Sequence, residues 1–204
     1  MIGIVDYGLG NLASVAGAIE RLGQTVVVSA DAGELDAADK LILPGVGAFG
    51  DGMRNLRDRG LVEPLARMAM EDGKPVLGIC LGAQLMCTGS EEAGTHEGLG
   101  WVRATVRRLA PRDPGLRVPH VGWDDFHRKR DCLLFSDIPQ NALFYYTHSY
   151  AIYADEPDLV VGTCDYGGAF IAALQTDNVY ATQFHPEKSQ RLGLEVLRNF
   201  VERI

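Results

Sequence analysis

Residues Gly78-Ile79-Cys80-Leu81-Gly82 follow the apolar run Pro75-Val76-Leu77 and precede Ala83-Gln84-Leu85-Met86. The first run reads as a buried strand and the last as the opening of a helix. A chain that passes from strand to helix within five residues makes a sharp, strained turn, and glycines on either side relieve its steric cost. At the apex stands a cysteine. This is the pattern of a nucleophile elbow, in which the apical side chain is lifted clear of the sheet. It also places the sulfur at the positive end of a helix, where the thiolate is favoured near neutral pH. The competing reading is an inert packing cysteine, since free cysteines are among the most buried residue types.

A second segment weakens that alternative. Val179-Tyr180-Ala181-Thr182-Gln183-Phe184 reads as a strand, followed by His185-Pro186-Glu187-Lys188-Ser189. Residues two apart in extended chain point to the same side, so His185 and Glu187 can share a face. A thiol, an imidazole and a carboxylate that orients the imidazole form a triad in its cysteine version: Cys80 as nucleophile, His185 as general base and acid, Glu187 as the orienting group. Alone, the second segment is also compatible with a strand-end histidine beside a surface glutamate.

The 204 residues suffice for one domain with a substantial core, and a single domain over 1–204 is expected. The net charge of -8 argues against a general nucleic-acid binder; Arg103, Arg107, Arg108 and Arg112 form a local basic group that reads as a solvated or docking face. Cys80, Cys87, Cys132 and Cys164 include no C-x-x-C pair and no zinc-ligand spacing, so no metal is expected, and the last three read as structural. Met1-Ile2-Gly3-Ile4-Val5-Asp6 has no basic leader, and no apolar stretch approaches the roughly 20 residues of a membrane helix, so a reduced, cytoplasmic, membrane-free protein is expected.

The first half alternates strand and helix: strands at 2–5, 25–28, 40–43 and 75–79, and helices at 12–22, 52–59 and 61–71. This implies an α/β fold with a central, mostly parallel sheet covered by helices. The second half reads as additional antiparallel strands near 102–109, 116–121, 143–147, 159–164 and 169–175. A last helix spans 189–204, with Ser189 as its N-cap. In such sheets ligands sit beyond the C-terminal strand ends, where the elbow, the 44–47 loop and the 6–11 turn all fall.

Gly78–Gly82 with Gln84, and His185-Pro186-Glu187 far downstream, resemble the class I (triad) glutamine amidotransferases. Within that class the chain is most similar to the glutaminase subunits of imidazole glycerol phosphate synthase. The residues carrying this closer likeness are Asp6-Tyr7-Gly8-Leu9-Gly10-Asn11, Leu43-Pro44-Gly45-Val46-Gly47-Ala48-Phe49, Val118-Pro119-His120-Val121-Gly122-Trp123, Tyr146-Thr147-His148-Ser149-Tyr150 and His185-Pro186-Glu187-Lys188-Ser189-Gln190. Ala83, Asp124 and the 101–105 segment depart from the usual pattern, away from the triad.

The resemblance implies glutamine hydrolysis without a cofactor. Cys80 would attack the side-chain amide; the backbone N–H of Leu81 and the 44–47 loop around Val46 and Gly47 would supply the oxyanion donors, each well-placed donor being worth about 3–4 kcal/mol. Gly45, Gln84, Tyr145, Ser149 and Tyr150 would hold the substrate. The ammonia would pass to a (β/α)8-barrel cyclase subunit in a heterodimer of histidine biosynthesis, which makes imidazole glycerol phosphate and aminoimidazole carboxamide ribonucleotide. Asn11, Trp123 and Lys188 are the expected interface residues. The alternatives are a glutaminase subunit serving another synthase, such as one for amidino-sugars, an inactive regulatory module on the same fold, and a plain cysteine hydrolase. His148 is a rival base, disfavoured because no carboxylate stands two residues away.

Overall fold

The computed structural model describes residues 1–204. The first half runs β1 (Ile2–Val5), α1 (Leu12–Glu20), β2 (Val26–Ser29), α2 (Ala32–Asp36), β3 (Lys40–Leu43), α3 (Phe49–Asp58), α4 (Val62–Ala66), β4 (Val76–Ile79) and α5 (Leu81–Leu85). Strands β5 (Cys87–Ser90), β6 (His96–Glu97), β7 (Val102–Arg108), β8 (His120–Arg128), β9 (Asn141–His148) and β10 (Tyr150–Tyr153) follow. Then come β11 (Val160–Asp165), β12 (Ala169–Thr176), β13 (Val179–Thr182) and α6 (Gln190–Arg203).

All the strands join one sheet. Its core is the parallel series β2-β1-β3-β4-β13, and antiparallel strands extend it from β13 through β12. The central strands are near-continuous apolar runs because both faces are covered. Their alternate residues feed two cores. Ile2, Ile4, Ile42, Leu77 and Ile79 face α1 and α6 through Val15, Ile19, Val196 and Phe200. Val5, Leu41, Leu43 and Val76 face Leu35, Phe49, Met53, Leu65 and Leu85 of the helices on the other side. A phenylalanine cluster extends the first core under β8 and β9, with Phe144 stacked on Phe184 at 4.0 Å and Phe126 on Phe135 at 4.4 Å.

Several boundaries differ from the expected ones, each for a local reason. Helix α3 begins at Phe49 rather than residue 52, because Glu92 Oε2 accepts the Phe49 N–H at 2.8 Å and caps the helix from a distant segment. The expected 61–71 helix is α-helical only to Ala66, then widens into a π-helical turn, Arg67–Glu71, in which the Arg67 carbonyl accepts the Asp72 N–H five residues on. The strand expected at 116–121 starts at His120, beyond Pro119, which has no N–H for a ladder. Strand β13 stops at Thr182, short of Phe184. The short elements α2, β5, β6 and β10 were not anticipated.

Ser189 stands at the N-cap position of α6, as expected, but its side chain makes no capping hydrogen bond. Its hydroxyl donates to the His185 carbonyl at 2.6 Å and accepts the Tyr145 N–H at 3.0 Å, so it ties β9 to the segment ahead of the helix. Gly193, one turn into α6, allows that close seating: a Cβ there would lie 2.0 Å from the Pro186 carbonyl oxygen. Gly193→Ala is therefore expected to destabilise the protein by about 1–3 kcal/mol, read as a lower urea midpoint. Gly17→Ala in α1, where nothing lies within 4 Å of the new methyl, should instead stabilise it by about 0.5–1 kcal/mol.

Candidate active site

Strand register assembles the site. In the parallel pairing of β4 with β13, Ile79 lies opposite Thr182, and the next residue, Cys80, donates its N–H to the Thr182 carbonyl at 2.8 Å. The segment that follows β13 therefore begins beside the segment that follows β4. Cys80 has φ 52° and ψ -109°, a region that L side chains rarely occupy and that stores about 1–3 kcal/mol of strain. Glycine on the far side of the turn is obligatory: a Cβ on Gly82 would sit 1.8 Å from the Leu43 carbonyl oxygen.

His185 is held through its backbone, its N–H donating to the Tyr145 carbonyl at 2.9 Å and its carbonyl accepting from Ser189. Its Nδ1 meets Glu187 Oε1 at 2.8 Å, and both side chains are buried. The contact spans a 3-10 turn, Pro186–Lys188, rather than an extended strand, so the shared face expected from strand alternation arises from a turn instead. The other ring nitrogen, Nε2, makes no well-formed hydrogen bond within the protein. Burial by itself would lower the basicity of His185. The negative charge of the nearby Cys80, with the hydrogen bond and charge of Glu187, outweighs burial and raises its pKa to about 9. An imidazolium facing sulfur at neutral pH is the arrangement a thiolate nucleophile needs.

The remaining thiols offer no rival. Burial pushes Cys87 and Cys164 well up and Cys132 up as well, so they stay protonated. His148 offers no rival either. Its Nδ1 donates to the Tyr150 carbonyl at 2.8 Å and its Nε2 meets His120 Nδ1 at 3.2 Å. Burial lowers its pKa to about 3. A carboxylate does stand behind it, since His120 Nε2 contacts Asp124 Oδ2 at 3.2 Å, but only through the second imidazole.

Cys80 opens into a cavity of about 400 Å³ lined also by Val46, Gly47, Leu81, Gln84, Thr147, His148, Ser149 and Tyr150. Of the residues expected to hold a substrate, Gln84, Ser149 and Tyr150 line it. Gly45 and Tyr145 do not. Gly45 lies beneath the loop against the Tyr7 hydroxyl, where a Cβ would come within 2.3 Å of the oxygen. Tyr145 points toward Trp123, 6.1 Å away between ring centroids, and Lys188 Nζ lies 5.9 Å over its ring. Two of the three expected interface residues thus meet around Tyr145; Asn11, half-buried, precedes α1, which packs on the 186–188 turn.

Sequence reasoning missed Glu92. It is the one carboxylate lining the cavity, and its other task, capping α3, is invisible without the fold. No group of three or more His, Cys, Asp or Glu residues is placed to hold a metal ion, and no helix is long and apolar enough to cross a membrane.

The family model for glutamine amidotransferase class-I matches residues 3–204. The chain belongs to the class I glutamine amidotransferases. Curated relatives of this class I amidotransferase include the imidazole glycerol phosphate synthase subunit HisH of Moorella thermoacetica, 49% identical over 98% of this chain and 94% of the relative. The subunit of the same name from Geobacter sulfurreducens is 46% identical over 98% of each chain, and the Pseudomonas aeruginosa subunit HisH 2 is 43% identical over 99% of each. Among solved structures, a glutamine amidotransferase superposes with a TM-score of 0.75 at 20% identity, covering 98% of this chain and 97% of that one. PurLQS from Thermotoga maritima gives 0.73 at 20% identity, with 99% and 97% covered. At that identity the structural likeness speaks to the fold.

In this class I amidotransferase the imidazolium persists up to about pH 9 because Cys80 and Glu187 favour it. Activity that needs the protonated ring should fall on the alkaline side with an apparent pKa near 9. Glu187→Gln removes a charge that raises that value, so the alkaline limb of the kcat/KM profile is expected to move to lower pH. An unmoved limb would show that Glu187 does not set the ring's protonation.

Proposed function

We propose that this chain is a single-domain glutaminase subunit that hydrolyses glutamine to glutamate and ammonia and passes the ammonia to the cyclase subunit of an imidazole glycerol phosphate synthase, in cytoplasmic histidine biosynthesis. The observation that carries the reading is the Cys80 sulfur set between a buried His185–Glu187 pair and a cavity of amino-acid size. The full-length likeness to HisH subunits supports the pathway.

Cys80 attacks the substrate amide, His185 protonates the departing ammonia, and Glu187 orients the ring throughout. The Leu81 N–H at the start of α5 and the backbone around Val46 and Gly47 serve the oxyanion. Gly47 has φ 114°, so this loop can take orientations closed to other residues. Water then releases glutamate from the thioester. Glu92 fits the α-ammonium of glutamine, with Ser149 and the Tyr150 backbone beside it.

Ammonia must travel unprotonated to react, and near pH 7 a free amine of ordinary basicity is almost wholly protonated. A dry route to an acceptor on another polypeptide follows. A (β/α)8-barrel cyclase in a heterodimer is the proposed acceptor. An exposed apolar face supports this reading: Val121 and Trp123 of β8 and Leu143 of β9 are exposed on one face of the pair, around Tyr145 and Lys188. Thr147, paired with Val121, also lines the cavity, so this face adjoins the site.

Glutamate release by the chain alone should be slow and should rise strongly with the cyclase and its nucleotide ligand; equal rates in the two conditions would overturn the coupling. Cys80→Ala should abolish release in both, by about 10⁴-fold or more. Glu92→Gln should raise KM for glutamine about tenfold, with a smaller change in kcat. Complementation of a histidine auxotroph separates this pathway from an amidino-sugar or other synthase, which would leave the auxotroph unrescued.

A further inference from the structure

Gln183 lies between the end of β13 and the triad histidine, and its side chain is almost wholly buried. Its Nε2 stands 3.7 Å from Cys80 Sγ, and its Oε1 lies 3.0 Å from Gln84 Nε2. Gln84 Nε2 also stands 2.8 Å from the Tyr150 carbonyl oxygen. These contacts fix the orientation of both amides, which distances alone leave open. A backbone carbonyl can only accept, so the end of Gln84 that faces Tyr150 is its NH2 group. The second N–H of that group meets Gln183, so the atom it meets is an acceptor, Oε1. What remains of Gln183 is its own NH2 group, and this faces the sulfur. The Tyr150 carbonyl is in turn braced on its second lone pair by the His148 Nδ1–H. The row therefore runs with one polarity, from a carbonyl on the cavity wall to a donor at the nucleophile.

We infer that Gln183 is a second polar partner of the Cys80 sulfur, donating an amide N–H that holds the thiolate, and that Gln84 is the positioning residue that aims this donor. His185 supplies a charge and a proton; Gln183 supplies a neutral donor that cannot take the sulfur's proton or give up its own. Such a donor favours the anion over the thiol and stays in place while the imidazole exchanges its proton. With both of its N–H groups engaged, Gln84 has only its carbonyl oxygen left for a ligand, so toward a substrate in the cavity it acts as an acceptor, suited to an ammonium rather than a carboxylate.

This inference rests on Cys80 being the nucleophile, but it can be tested without glutamine turnover. The full-length protein is alkylated with iodoacetamide across pH 5–10, and labelling at Cys80 is followed by mass spectrometry. Gln183→Met, close in volume and without a donor, should move the acid limb of the labelling profile to higher pH by about one unit and leave the high-pH plateau rate unchanged. Gln84→Met should move the limb in the same direction by less. Gln183→Glu, which keeps the shape and turns an acceptor on the sulfur, should move it further than Gln183→Met, and it carries the test where Gln183→Met does not fold. A limb that stays in place in the Gln183 variants, or a plateau that falls with no shift, would overturn the donor assignment. A shift in the Gln183 variants with none in Gln84→Met would overturn the aiming role. A wild-type protein that labels at Cys80 but releases no glutamate, alone or with the cyclase, would overturn the glutaminase reading and leave the labelling test of the donor standing.

Discussion

Everything chemical in this molecule depends on one parallel strand pairing, β4 with β13. The ladder ends with Ile79 opposite Thr182, and each strand then releases its chain into the same crevice. One chain turns sharply through Cys80 into α5. The other continues through Gln183 to His185 and a tight turn. Because the register is fixed by apolar residues buried on both faces, a slip of one residue would turn every side chain of β13 to the opposite core. The hydrophobic interior thus sets the spacing between a sulfur and an imidazole that are remote in sequence.

Much of the candidate site's geometry was legible beforehand because it is local. Gly78 and Gly82 declare a strained turn, and the His-Pro-Glu segment brings an imidazole and a carboxylate within two residues of each other. The parallel strands were legible as apolar runs; β1 and β3 fall on the residues expected of them. What could not be read depends on contacts distant in sequence. Glu92 lengthens α3 from across the molecule, and no pattern near residue 49 encodes that. Ser189 has the composition of a cap, yet its hydroxyl is taken by Tyr145 and His185, which reach it only in the fold. Tyr145 was placed with the substrate by family likeness, but strand alternation on β9 turns it to the face that carries Trp123.

The two histidines nearest the cavity show how environment divides identical side chains. His148 has both nitrogens engaged by neutral partners and is buried, so its charged form is disfavoured. His185 is equally enclosed but stands between a carboxylate and a sulfur, and the balance reverses. The same logic separates Cys80 from the deep thiols, whose charged forms burial disfavours, with the Asp124 carboxylate disfavouring that of Cys164 further. Reactivity here is a property of placement, and placement follows from the sheet.

The last strand of the sheet in chain order, β13, leads directly into His185. Until that strand is in place, the sulfur-bearing turn lacks both the Thr182 carbonyl that holds its N–H and the imidazole of His185. Only when the final strand slots into the middle of the sheet, beside β4 and not at an edge, do Cys80 and His185 come together. A chain that stops short of that strand carries the sulfur without its partner.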